Sequence, residues 1–131
     1  MRILHSMLRV ADLDAALHFY RDALGMTLQR RHDYPDARFT RAIVAYGETP
    51  AHAAIELTHN WDRQAYTHGD AYGYLAVAVD DAASVCAKVR AHGGTVTREA
   101  GPMKHGSNII AFVQDPDGYR IELIEASAHY D

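Results

Sequence analysis

The segment His5 to Val10 alternates like a strand, with His5, Met7 and Arg9 on one side and Leu8 and Val10 on the other. Asp12 follows, and then Leu13, Ala16, Leu17, Tyr20 and Leu24 recur at helical spacing. Asp12 is a residue type that caps helix starts, and Gly25 a type that ends them. The same order returns later in the chain. Tyr74 to Val79 is strand-like, Asp80 and Asp81 offer a cap, Ala82, Val85, Cys86 and Val89 form the stripe, and Gly93 and Gly94 close it. A displacement of 69 positions carries Val10 onto Val79, Asp12 onto Asp81, Gly25 onto Gly94 and His5 onto Tyr74.

A displacement of 66 then matches Ile43-Val44-Ala45-Tyr46 with Ile109-Ile110-Ala111-Phe112, Pro50 with Pro116, and Ile55-Glu56-Leu57 with Ile121-Glu122-Leu123. Asp115-Pro116-Asp117-Gly118 is a strong hairpin turn between the last two strands. Each unit therefore reads as strand, helix and about three strands. This predicts an α+β fold of tandem βαβββ modules in one domain over 1–131, with module one at about 1–66 and module two at about 70–127.

Length agrees with that picture, since 131 residues suit one domain with an internal duplication. Thirteen Lys and Arg against 17 Asp and Glu give −4, spread along the chain, so the basic footprint of a nucleic-acid partner is missing. The longest apolar stretches, such as Ile109 to Val113, fall far short of the ~20 residues of a membrane helix. Charges near the start argue against a signal peptide, and a soluble cytoplasmic protein is the expectation. Cys86 is alone, which excludes an internal disulfide or a cysteine-rich zinc site, and its place in the helical stripe assigns it to packing.

Alternation also sorts the polar residues. Glu56, Thr58 and Asn60 oppose Ile55 and Leu57, and core-facing Ile121 and Leu123 send Arg120 and Glu122 to the other surface. His5, Glu56 and Glu122 are the donor types that hold zinc or another first-row cation, at about 2.0–2.2 Å. Taken singly, each glutamate reads as a solvated strand carboxylate and His5 as a surface or hydrogen-bonded histidine. The matching places of Glu56 and Glu122 in two repeats turn the reading toward a metal cup.

His5-Ser-Met-Leu-Arg9-Val, Glu56-Leu-Thr-His-Asn60-Trp61, Ala71-Tyr-Gly73, Arg98-Glu-Ala-Gly-Pro-Met-Lys-His105 and Asp115-Pro-Asp-Gly-Tyr-Arg-Ile-Glu122 resemble the glyoxalase I (lactoylglutathione lyase) family, nearly end to end. The resemblance implies the vicinal oxygen chelate fold and, for a short bacterial-type chain, nickel or cobalt ahead of zinc. It also implies a homodimer whose sites take His5 and Glu56 from one chain, and Glu122 and position 74 from its partner. The family has His where this chain has Tyr74. A phenol ionises near ~10 and binds metal well only without its proton. Tyr74 thus binds as phenolate, swings away to leave its place to water, or costs the site its metal. His68 is a nearby substitute, with a solvent-facing loop position as the plainer reading.

The activity the resemblance implies is conversion of the methylglyoxal–glutathione hemithioacetal to S-lactoylglutathione, by metal-assisted proton transfer through an enediolate. Glu122 is the first choice of base and Glu56 its partner in metal binding and proton return; the alternative is that both stay permanent ligands. Arg9 and Asn60 match positions that hold glutathione. Lys104 and His105 form either a clamp on its glycine carboxylate or a solvated loop. Met7 and Trp61 line the site or pack the core. Two rivals stand beside the lyase: a noncatalytic small-molecule-binding module of the same fold, and a related metal enzyme with another chelating substrate.

Overall fold

Asp12 accepts a hydrogen bond from the Ala15 amide at 3.1 Å, and Asp81 accepts one from the Ser84 amide at 3.2 Å. These caps start helices α1 (Leu13–His18) and α2 (Ala82–Ala91). Each helix is the single crossover in a four-stranded arrangement. The protein is described from a computed structural model over residues 1–49, 51–106 and 108–125. The chain divides into two compact units, Met1–Thr67 and His68–Asp131.

The first unit contains β1 (His5–Arg9), α1, β2 (Thr27–Tyr34), β3 (Phe39–Ala45) and β4 (Ala54–Asn60). Its sheet order is β1-β4-β3-β2, with β1 and β4 parallel and the other pairs antiparallel. The second unit contains β5 (Leu75–Ala78), α2, β6 (Thr95–Pro102), β7 (Ile109–Gln114) and β8 (Arg120–Ile124), in the order β5-β8-β7-β6 with the same senses. Both are βαβββ modules, so the α+β expectation holds. Among the described residues no helix is long and apolar enough to cross a membrane.

The register repeats with the topology. Met7 stands opposite Glu56, and Ala76 stands opposite Glu122. The Val10 amide donates to the Thr58 carbonyl and the Val79 amide to the Ile124 carbonyl, both at 2.9 Å. One face of each sheet is closed by apolar side chains: Leu8, Ala42, Val44 and Leu57 in the first, Ala111, Val113, Ile121 and Leu123 in the second. Leu13, Ala16 and Leu17 are buried on α1, and Ala82, Cys86 and Val89 on α2. Full burial of a large aliphatic side chain contributes about 1.5–3 kcal/mol, so this face fixes which way each strand points. Cys86 is buried as expected, and burial pushes its thiol pKa up.

Two details of the repeat differ from the sequence reading. After His18 the first helix continues as a π turn over Phe19–Ala23, which accommodates one more residue than α2 before the chain leaves the helix. The left-handed glycine that follows is Gly25 (φ 75°) in one module and Gly93 (φ 88°) in the other, so Gly25 corresponds to Gly93 and not to Gly94. The match of Ile43 with Ile109 also fails. Ile43 pairs with Glu56 and Phe112 pairs with Glu122, so Ile43 is the counterpart of Phe112. The shorter displacement arises only after these strands, because eight residues (46–53) join β3 to β4 and five (115–119) join β7 to β8. Pro50 and residues 126 and 127 lie outside the described residues.

The short connection is the expected hairpin. Asp115 Oδ1 accepts from the Asp117 and Tyr119 amides at 2.9 Å each, and the Gly118 amide donates to the Asp115 carbonyl at 3.0 Å. In the long one, the Tyr46 hydroxyl donates to the Leu24 carbonyl at 2.8 Å.

Candidate active site

Strand geometry brings the first pair of predicted ligands together. Parallel pairing sets Met7 beside Glu56, and His5 lies two residues along β1 on the same face. His5 Nε2 is 3.7 Å from Glu56 Oε1. The Glu56 side chain is only 13% exposed, so its oxygens take protein donors in place of much of their water. Thr58 Oγ1 donates to Oε2 at 3.1 Å, and Arg41 Nη1 donates to Oε1 at 3.4 Å. Arg41 pairs with Thr58 across β3 and β4, which puts it on the same face as Glu56, and its guanidinium lies 5.3 Å from the centre of the Tyr34 ring.

Two cavities open on this face of the first unit. One of about 520 Å³ is lined by His5, Gln29, Arg30, Arg41, Ile43 and Glu56, among others. The other, of about 330 Å³, is lined by Met7, Arg9, Arg41, Thr58, Asn60 and Tyr66, with Phe39 and Glu56. Arg41 and Glu56 belong to both. Arg9 and Asn60 thus share the second cavity. Asn60 Oδ1 accepts from the Asp62 amide at 2.9 Å, which leaves the side-chain NH₂ as the group available to an anion. Met7 lines this cavity. Trp61 is instead held by its indole N–H on Thr40 Oγ1 at 2.9 Å, with the Arg38 guanidinium 5.6 Å from its ring, and belongs to the packing.

The second unit presents another kind of surface. Cross-strand pairing places Phe112 and Glu122 on one face of the sheet. The Tyr74 ring packs edge-on against the Phe112 ring at 5.4 Å, and the Arg120 guanidinium lies 5.2 Å from the Phe112 ring. Tyr74 immediately precedes β5 and is 50% exposed. Glu122 is 9% exposed and its carboxyl makes no hydrogen bond or ion pair among the described residues; desolvation raises its pKa above the usual range. His68 does not face solvent as a bare loop residue: its ring is half-buried and stacks on Tyr119 at 4.2 Å, which makes it a packing residue. Lys104 and His105 are exposed on the turn between β6 and β7.

Two contributors, Arg41 and Tyr66, escaped the sequence reading, and Thr58 was placed there only by its face. Arg41 and Thr58 hold the Glu56 carboxylate, and Tyr66 carries a buried hydroxyl with no hydrogen-bond partner among the described residues. For Arg41 the signal was a lone charge in the apolar run from Phe39 to Ala45, whose face depends on a pairing made across the sheet.

The donor chemistry fits a divalent cation. An imidazole nitrogen and a carboxylate oxygen 3.7 Å apart need little movement to become neighbouring ligands, and Glu122 is a buried carboxyl with no internal counter-charge among the described residues. Similarity to known proteins identifies the family. Residues 2–123 match the Glyoxalase/Bleomycin resistance protein/Dioxygenase superfamily. The chain is 56% identical over 131 residues to the lactoylglutathione lyase of Neisseria meningitidis serogroup A, covering all of this chain and 95% of that one. Glyoxalase I from Zea mays superposes with a TM-score of 0.92 at 42% identity over 96% of this chain, which spans only 45% of the maize chain. The trypanothione-dependent glyoxalase I of Leishmania major gives a TM-score of 0.83 at 39% identity, over 95% of this chain and 86% of that one. A likeness that runs through both modules at this level places the chain in the glyoxalase superfamily, as a member of its lactoylglutathione lyase (glyoxalase I) family.

Proposed function

We propose that the chain isomerises the hemithioacetal of methylglyoxal and glutathione to S-lactoylglutathione. The observation that carries this is the shared register that gives each module one glutamate on the face opposite its apolar core, with His5 beside the first. Nickel or cobalt is the expected cation, with zinc a weaker choice. When bound, it supplies Lewis-acid stabilisation of the negative charge on the two adjacent substrate oxygens.

The remaining work belongs to the chain. His5 and Glu56 hold the cation from one subunit, with Thr58 orienting the carboxylate by its 3.1 Å hydrogen bond. In the homodimer proposed here, the partner subunit's Glu122 completes the site. Burial raises the proton affinity of Glu122, which suits it to take the proton from the substrate C–H. The bonding pair moves into the enediolate, and the same proton returns to the neighbouring carbon, so atoms and oxidation state balance. Arg9 and the Asn60 amide receive a glutathione carboxylate in the 330 Å³ cavity, and the Tyr66 hydroxyl is a further donor there. Lys104 and His105 serve as the outer clamp. Tyr74, with its ring on Phe112, stands aside from the cation.

Similarity to a protein named as a lyase over the whole chain turns the choice away from a noncatalytic module or a different chelating substrate. The test is direct. Chelated protein should lose hemithioacetal isomerisation, and nickel or cobalt should restore it above zinc. A chain that binds these ions and does not form the thioester would overturn the reading.

A further inference from the structure

Arg41 stands where a cation already satisfies a proposed metal ligand. Its Nη1 is 3.4 Å from Glu56 Oε1, the same oxygen that lies 3.7 Å from His5 Nε2. Thr58 occupies the other carboxylate oxygen, so Oε1 is the atom left for a metal, and Arg41 and an incoming ion meet there. The guanidinium brings a positive charge to this oxygen. It is also held in place: the backbone of β3 sets its face, and the Tyr34 ring flanks its charge at 5.3 Å. Arg41 Nε is buried with no hydrogen-bond partner among the described residues, so the contacts of this head group lie at its Nη end, toward Glu56.

We propose that Arg41 is a tethered competitor for the divalent cation, which weakens metal binding at the His5–Glu56 pair. Two effects act together. The ion has to take Oε1 from the guanidinium, and once bound it stands beside a fixed like charge in a cavity that Arg41 itself lines. The second module has no arginine at the equivalent position, where the register places Ile110, and its Arg120 lies against the Phe112 ring and forms no ion pair with Glu122 among the described residues. Arg41 is therefore a device of the first half-site alone, and it sets how much free metal the protein needs before it is loaded.

This inference rests on the reading that His5 and Glu56 hold a cation, and the experiment separates the two. The full chain, stripped with chelator, is titrated with Ni²⁺ by calorimetry beside Arg41→Leu and Arg41→Lys, with thermal melts to show that both variants fold. Arg41→Leu should bind Ni²⁺ tighter by about 10- to 100-fold, the scale typical of groups that contact a metal ligand. Arg41→Lys keeps the charge and should stay near the parent, whereas loss of mere packing would affect both variants alike. Unchanged or weaker binding by Arg41→Leu overturns the inference. If the parent meanwhile binds Ni²⁺ and isomerises the hemithioacetal, only the inference falls. If neither parent nor Arg41→Leu binds Ni²⁺, the functional reading falls with it.

Discussion

Met7 faces Glu56 across β1 and β4, and Ala76 faces Glu122 across β5 and β8, yet the two carboxylates have different company. Glu56 has a histidine, a threonine hydroxyl and a guanidinium within 3.7 Å. Glu122 sits among Phe112, Ala76 and the approach of Tyr74, buried and with no internal donor among the described residues. The scaffold was duplicated and the side chains were not. A carboxylate beside an imidazole and oriented by a hydroxyl suits a permanent ligand, while a desolvated one gains proton affinity and suits proton transfer.

The largest effect should come from the second module. Glu122→Gln keeps the shape and removes the basic oxygen, so turnover should fall about 10²- to 10⁴-fold in the hemithioacetal assay while thermal melting shows an intact fold. Turnover within a few-fold of the parent would remove Glu122 from the base role. Next, Tyr74→His should bring the second half-site closer to the first and tighten Ni²⁺ binding by about 10- to 100-fold in a calorimetric titration. No change would show that position 74 lies outside the metal's reach. On the first module, Thr58→Val removes the donor to Glu56 Oε2 and should weaken Ni²⁺ by up to about tenfold.

The smallest effect concerns the connections that distinguish the modules. Tyr46→Phe deletes the hydrogen bond to the Leu24 carbonyl and should cost about 1 kcal/mol at pH 7–9, read by denaturant unfolding. Burial pushes the Tyr46 pKa up to about 12 from an ordinary 10.0. The folded state therefore favours the neutral phenol, and the contribution is complete below pH 10 and lost as pH rises through 12. The gap between parent and variant should close over that range. A gap independent of pH would mean that the phenol is not held neutral by the fold.

Much of the fold was legible because its signals are local. Asp12 and Asp81 cap helices by their own side chains, and Leu8, Leu57, Ile121 and Leu123 announce their face by alternation. What escaped depends on pairing. Ile43 and Ile109 look alike in sequence, but a slip of three residues is odd and moves a side chain to the opposite face, so only the observed register identifies Phe112 as the partner of Ile43. The π turn left no mark beyond one extra residue. In the site, His5 and Glu56 were legible as residue types on one face each, and parallel pairing of β1 with β4 makes them neighbours. Arg41 reaches Glu56 only through β3, which no spacing in the sequence reveals.

The division of labour between the glutamates is tested most directly by comparing Glu56→Gln with Glu122→Gln as nickel is raised to saturation. Excess nickel should restore much of the turnover of Glu56→Gln, because that variant has lost a ligand, and should leave Glu122→Gln slow, because that variant has lost its base. Recovery of Glu122→Gln by metal, with Glu56→Gln beyond rescue, would contradict the account.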